Sequence, residues 1–196
     1  CMLKLSSFTT DLFQNEKLFN LVTAVRPESA AQEQLRKDLL EAFEDSGVGL
    51  PRSKRQRIKE INERLTELDQ EFDRHIRDND TRITFSDEEL AGLPRSYVER
   101  VPRDDHGRCI LGFDYPDYHP FMANARDESA RRRYYVAFMN RGTDENLKIL
   151  NEIVSLRKEL AALYGVPSYA HFVTRRRMVE DPETVHRFLA EGKEVV

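Results

Sequence analysis

The stretch LPRSKRQRIKEINERLTELDQEFDRHIRDND, residues 50–80, decides the fold class. Ile58, Ile61, Leu65, Leu68, Phe72 and Ile76 recur at steps of 3, 4, 3, 4 and 4, the repeat of one helix face. Pro51 suits a first-turn position, where its missing N–H costs nothing. The apolar stripe is narrow, close to a coiled-coil seam, and predicts a long helix lying lengthwise on one partner. A helical hairpin with residues 28–45 is the expected arrangement.

The flanking sequence repeats the helical pattern. Upstream, Phe8, Leu12, Leu18, Leu21, Val22 and Val25 mark a first helical region of loose spacing. PESAAQEQLRKDLLEAFEDSG, residues 27–47, sets Leu35, Leu39, Ala42 and Phe43 on one face and stops at Gly47. Downstream, Asp127 caps a helix that closes at Gly142. Thr143 caps another that ends at Gly165, with Leu147, Leu150, Val154, Leu160, Ala161 and Tyr164 on its apolar side. Ser168 caps a short helix, and Asp181 with Pro182 opens a last one through Phe188 and Leu189.

Residues 80–125 break the pattern. TRITF (81–85) alternates and is β-branched, so it reads as a strand, and RCILGFDY (108–115) reads as its partner. Between them Ser86 and Glu89 stand at capping-box spacing and predict a helix that Gly92-Leu93-Pro94 ends. The chain is therefore read as mainly α, a multi-helix assembly with one small β element at about 81–85 and 108–113. Its sub-regions are helical over 1–78, β-containing over 79–125 and helical over 126–196.

Composition narrows the function. Lys and Arg number 31 against 35 Asp and Glu, a net charge of −4. A broad nucleic-acid surface needs a basic excess, because phosphate neutralisation supplies most of its affinity. ARRRYYVAFMNRG, residues 130–142, is the one stretch that invites that reading. On a helix, however, Ala130, Tyr134, Ala137, Phe138 and Arg141 share a face, while Arg131, Arg132 and Tyr135 fall largely elsewhere. The aromatics read as core and the arginines as a solvated rim; no nucleic acid is expected. Arg175, Arg176 and Arg177 sit beside the acidic VEDPE and read the same way. No apolar run approaches the ~18 residues of a membrane span, and the chain is expected to be cytoplasmic. Cys1 and Cys109 make no disulfide framework, and Cys1 ahead of Met2 reads as a cloning remnant.

No catalytic constellation is apparent. The histidines are His75, His106, His119, His171 and His186; none is followed by Glu and no two lie four residues apart, so HExxH is absent. DYPDYHP (114–120) holds Asp114, Asp117 and His119, which could ligate a metal, but two prolines and the aromatics favour a fixed extended loop. Gly-rich phosphate loops and nucleophile elbows are absent as well. No catalytic, cofactor-binding or metal residue is assigned.

Several blocks taken in order resemble a known family. SGVGLP (46–51), INERLTELDQEF (61–72), ITFSDEELAGLP (83–94) and FDYPDYHPFM (113–122) are similar to successive parts of the thimet oligopeptidase, neurolysin and oligopeptidase A family. ESARRRYYVAFMNRGTDENLKILNEIVSLRKELAALYG (128–165) is the strongest block, followed by YAHFV (169–173) and ETVHRFL (183–189). The resemblance covers roughly residues 46–190, is loose before them, and departs at the unusually basic Arg175–Arg177. It implies a zinc metallopeptidase that cleaves short peptides in a deep channel between two mostly helical halves. The family's HExxH and additional Glu ligand lie downstream of these blocks and have no counterpart here. The expectation is an N-terminal, non-catalytic portion that walls the channel, carries no cofactor and is inactive alone, zinc belonging to the parent protein. Its partners would be short peptides and the C-terminal catalytic half. The abrupt end at KEVV reads as a truncation, and exposed apolar surface should then drive self-association. The alternative is a stand-alone helical protein-interaction module.

Overall fold

A computed structural model describes residues 2–195, so the expectation about Cys1 lies outside the described residues. The elements in chain order are α1 (Met2–Phe13), α2 (Glu16–Ala24), α3 (Ala30–Asp45), α4 (Arg52–Arg77), β1 (Ile83–Phe85), α5 (Arg95–Arg100), β2 (Cys109–Leu111), α6 (Tyr115–Asn124), α7 (Glu128–Met139), α8 (Thr143–Tyr164), α9 (Tyr169–Thr174) and α10 (Pro182–Val195). The fold class is mainly α with one small β element, as the apolar periods predict. The chain divides into a larger unit, residues 1–70 with 148–196, and a smaller one, residues 71–147.

In the larger unit the seam of α4 lies on α8. Ile58, Ile61 and Leu160 form a buried cluster, with Leu65, Leu156 and Leu163 packed against it. Neither the single partner nor the partner expected from the sequence is found: the seam packs on α8, and α1 also lies along α4 through Ser6 on Thr66 and Asp11 on Lys59. Residues 28–45 turn instead toward α1 and α2, because the largest apolar residue of α3, Phe43, is claimed by Phe13 and Phe19, whose ring centroids stand 5.1 and 5.7 Å away. The loose spacing at the start resolves into two helices. Asn15 breaks them apart by accepting the Leu18 N–H at 3.1 Å, an N-cap bond.

Two arginine–glutamate pairs flank the α4–α8 seam. Arg57 donates to both oxygens of Glu159 at 2.6 and 2.9 Å, and Arg64 to both oxygens of Glu152 at 2.6 and 3.0 Å. Arg57 and Arg64 directly precede the seam residues Ile58 and Leu65, and Glu152 and Glu159 directly precede Ile153 and Leu160. Like flanks meet because the two helices run antiparallel. Hydrogen bonds from the arginines hold the Glu152 and Glu159 carboxyls below the usual carboxylate range. The support they give is therefore present at neutral pH and fades as pH falls through that range.

The end of α3 is capped from outside. Gln14 Nε2 donates to the Ser46 carbonyl at 3.0 Å, and the Tyr164 hydroxyl donates to the Asp45 carbonyl, satisfying oxygens that the helix leaves unpaired. Gly47 turns the chain with φ at 82°, and a Cβ there would stand 3.0 Å from Ile58 Cδ1. The positive φ favours glycine, and the space for a Cβ is tight as well.

In the smaller unit β1 and β2 pair antiparallel, with Ile83 opposite Leu111 and Phe85 opposite Cys109. Phe85, Leu111, Phe121 and Tyr134 are fully buried there, the last two contributed by α6 and α7. Tyr134 meets Phe85, Phe121 and Phe113 with centroids 4.9–5.8 Å away, and its hydroxyl donates to the Gly112 carbonyl. The face assigned to 130–142 is thus the buried one, while Tyr135 is 46% exposed. The rim arginines lie at the edge as expected, with Arg132 and Arg133 exposed: Arg133 pairs with the Glu89 carboxylate at 3.1 Å and reaches Thr84 O at 3.0 Å, and Arg131 donates to the Ala125 carbonyl.

The helix expected after Ser86 does not form. Its capping bond is made, Ser86 N–H donating to Glu89 Oε2 at 2.8 Å, yet the chain continues only as turns. Gly92, at φ 102°, lies where a Cβ would sit 2.3 Å from the Asn124 carbonyl, so no side chain fits at that position. α5 was missed because Gly92-Leu93-Pro94 reads as a stop, whereas Pro94 occupies the N-cap of the next short helix.

Tyr134→Ala should cost about 3–5 kcal/mol, the range for emptying a buried aromatic site. Arg132→Gln should change stability by less than about 0.5 kcal/mol. Urea melts of the two variants check the ranking; a larger loss for Arg132→Gln would mean that the helix faces are inverted.

Candidate functional site

Asp114, Asp117 and His119 lie at the start of α6, not on an extended loop. The prolines are accommodated by position. Pro116 falls in the first turn, where no N–H is needed. Pro120 cannot donate to the carbonyl of residue 116, but Arg100 Nη2 supplies that bond at 3.1 Å. The side chains serve the same junction. Asp117 Oδ1 accepts from Arg100 at 2.9 Å, its other oxygen faces the Gly112 N–H at 3.4 Å, and its carbonyl accepts the Tyr97 hydroxyl at 2.7 Å. His119 stacks on Tyr115 with ring centroids 4.7 Å apart. The three groups are not brought together as ligands, and no group of three His, Cys, Asp or Glu able to hold a metal occurs among the described residues.

The remaining histidines are spread apart. His75 Nδ1 lies 2.9 Å from Asn146 Oδ1, while Asn146 Nδ2 donates to the Phe72 carbonyl at 3.1 Å. Because that amide nitrogen is the donor, Oδ1 must accept, and Nδ1 of His75 carries the proton. His106 sits in the turn closed by Asp104 Oδ1. His171 meets Ser168 Oγ at 2.8 Å and approaches Glu183 at 3.7 Å, a link from the α9 cap to the first turn of α10. His186 is exposed on α10. The Cys109 thiol is buried, and that burial pushes it above its ordinary value, so it is no ready nucleophile.

The basic run 175–177 has a structural use that its composition did not reveal. Arg175 and Arg176 both bond Asp45 Oδ1, at 2.5 and 2.8 Å, and Arg176 also reaches Glu44 at 2.6 Å. Cations placed at the C-terminus of α3 complement its dipole. The sequence signal was present in the acidic Glu41, Glu44 and Asp45, but nothing local links them to a segment 130 residues away.

What the surface does offer is uncovered apolar helix. On α8, Ile149, Ile153 and Leu160 are buried, whereas Leu147, Leu150 and Val154 are about half exposed, a second stripe beside the seam. On α10, Phe188 and Leu189 are exposed by 71% and 60%. No helix among the described residues is long and apolar enough to cross a membrane.

Residues 121–195 match the model of peptidase family M3. Oligopeptidase A of Salmonella typhimurium is 31% identical over 95% of this chain and 31% of its own length. The thimet-like oligopeptidase of Dictyostelium discoideum is 32% identical over 81% of the chain and 24% of its own length, and saccharolysin of Saccharomyces cerevisiae 33% over 76% and 22%. These matches support peptidase family M3. The chain spans about a third or less of the length of these curated relatives.

Asp117→Asn should lower stability by about 1 kcal/mol, because a charge-assisted bond to a half-exposed arginine is lost. It should leave metal content unchanged. Loss of bound zinc in the variant, measured by atomic absorption, would contradict the structural role given to Asp117.

Proposed function

We propose that this chain is an N-terminal, non-catalytic portion of a zinc metallo-oligopeptidase acting on short peptides, and that it forms part of the wall of the substrate channel. The observation that carries the proposal is the disparity of coverage: relatives named as oligopeptidases align with 95% of this chain, which accounts for only 31% of theirs. Its 196 residues contain no HExxH, so zinc chemistry falls outside them. The residues present do not fit the ion. A catalytic zinc needs three protein ligands and an open position, whereas Asp117 is committed to Arg100 and Gly112, and His119 to Tyr115. This segment would contribute a rigid wall, and the rest of the parent the metal and the activated water.

The test is a chimera in which this chain replaces the matching stretch of oligopeptidase A. Cleavage of short peptides should be retained, while the chain alone should neither hydrolyse them nor hold zinc in a 1:1 ratio. A folded, zinc-loaded chimera without activity, or stoichiometric zinc on the isolated chain, would sink the proposal and favour a stand-alone interaction module.

The stripe Leu147, Leu150 and Val154 and the face of α10 carrying Phe188 and Leu189 are read as surfaces that the remainder of the parent covers. A helix apolar on two sides wants neighbours on two sides. The isolated chain should accordingly self-associate, and replacing Leu150, Val154 and Phe188 with Ser should shift it toward monomer in sedimentation velocity. Strictly monomeric behaviour at high concentration before substitution would count against covered surfaces of this kind.

A further inference from the structure

An open groove in the larger unit runs between the last turn of α2 and the first half of α3. Val22, Val25, Leu35 and Leu39 line it, with Arg26 and Arg36 beside them. Its apolar residues are not spent on a core, since Val25 and Leu35 are 54% and 60% exposed. Arg36 is the unusual member. Its side chain is only 25% exposed, yet its single hydrogen bond is from Nη2 to the Thr23 carbonyl, at 2.9 Å. Nη1 stands 3.8 Å from the Glu33 carboxylate, beyond hydrogen-bond reach, and Nε is buried with no partner. With one hydrogen bond to Thr23 and one long ion pair to Glu33, this enclosed guanidinium still has donor capacity to spare. Arg26 is exposed and makes no hydrogen bond or ion pair among the described residues. One carboxylate, Glu28, lines the groove against the two cations, and its backbone N–H is tied to Gln32 Oε1 at 2.7 Å.

We propose that this groove binds the C-terminal residue of a short peptide whose last side chain is apolar. The terminal carboxylate would lie on Arg36 and Arg26, where a guanidinium fork matches two carboxylate oxygens. The apolar side chain would cover Val25 and Leu35. Charge and shape favour this occupant over a lipid: residues 32–39 of α3 rise only about 10 Å, enough for one side chain but not for a long acyl tail. The inference rests on the peptide reading above, but concerns binding at a place apart from any cleavage site.

A methyl-NMR titration of the 196-residue chain tests it, with acetyl-Gly-Gly-Leu as the free acid, its C-terminal amide, acetyl-Gly-Gly-Ser as the free acid, and decanoate. The leucine acid should shift the methyl signals of Val22, Val25 and Leu35. The amide and the serine peptide should bind about tenfold more weakly, the loss expected when one charge-assisted bond or one buried side chain is removed. Arg36→Gln should weaken the acid and leave the amide unchanged. If that variant fails to fold for want of its bond to Thr23, Arg26→Gln, at an exposed position, carries the same expectation. Equal binding of acid and amide, no shift at millimolar peptide, or tighter binding of decanoate at the same methyls would each overturn the proposal. An active chimera whose groove binds no peptide would sink this inference alone. Groove binding with an inactive chimera would sink only the channel-wall reading.

Discussion

The larger unit depends on the antiparallel contact of α4 with α8. Its apolar seam is ordinary: Ile58, Ile61 and Leu160 are buried with their leucine neighbours, and any pair of amphipathic helices could bury as much. Direction comes from the flanks. The pairs Arg57–Glu159 and Arg64–Glu152 are seven residues apart on both helices, and reversing one helix would set each arginine away from its glutamate. The ion pairs are exposed and contribute little energy singly. Their placement on matching flanks fits the antiparallel register, as flank charges do in coiled coils.

Other contacts of that unit build outward from this pair. α1 lies along α4 through Ser6 on Thr66 and Asp11 on Lys59. Tyr164, at the end of α8, reaches the carbonyl that closes α3, and Arg175 and Arg176 bind the carboxylates of the same turn. The tight turn at Gly47 lets α3 end there while α4 begins beneath it. The smaller unit is organised differently, by one buried tyrosine. Tyr134 touches three phenylalanines and caps a carbonyl next to β2, so the hairpin, α6 and α7 meet at a single side chain.

For function, the separation between framework and chemistry matters most. The groups that sequence alone would nominate for metal binding are used as internal fastenings, and the basic clusters are ion-paired or bonded to carbonyls. The matches to family M3 and to the oligopeptidases cover the chain but only about a third or less of those relatives.

The sequence by itself determined the long helices α3, α4, α7 and α8, the hairpin and the buried faces of α4 and α7, because 3.6-residue and two-residue periods are local properties of the chain. On α8 it marked Leu147, Leu150 and Val154 as the apolar side, whereas Ile149 and Ile153 are the buried ones there. Ile58 through Phe72 announced α4, Tyr134 and Ala130 the inward face of α7, and Ser168 and Asp181 the starts of α9 and α10. The family was legible too, since blocks in order carry information that no single block holds. Only the tertiary structure decided which helix α4 would meet, that Asp117 would serve Arg100, and that Arg175 and Arg176 would close the end of α3. It also decided that Gly92 would lie against the Asn124 carbonyl, where no side chain fits. Each of these rests on residues far apart in the chain, and periodicity records which side of a helix is apolar without recording what will cover it.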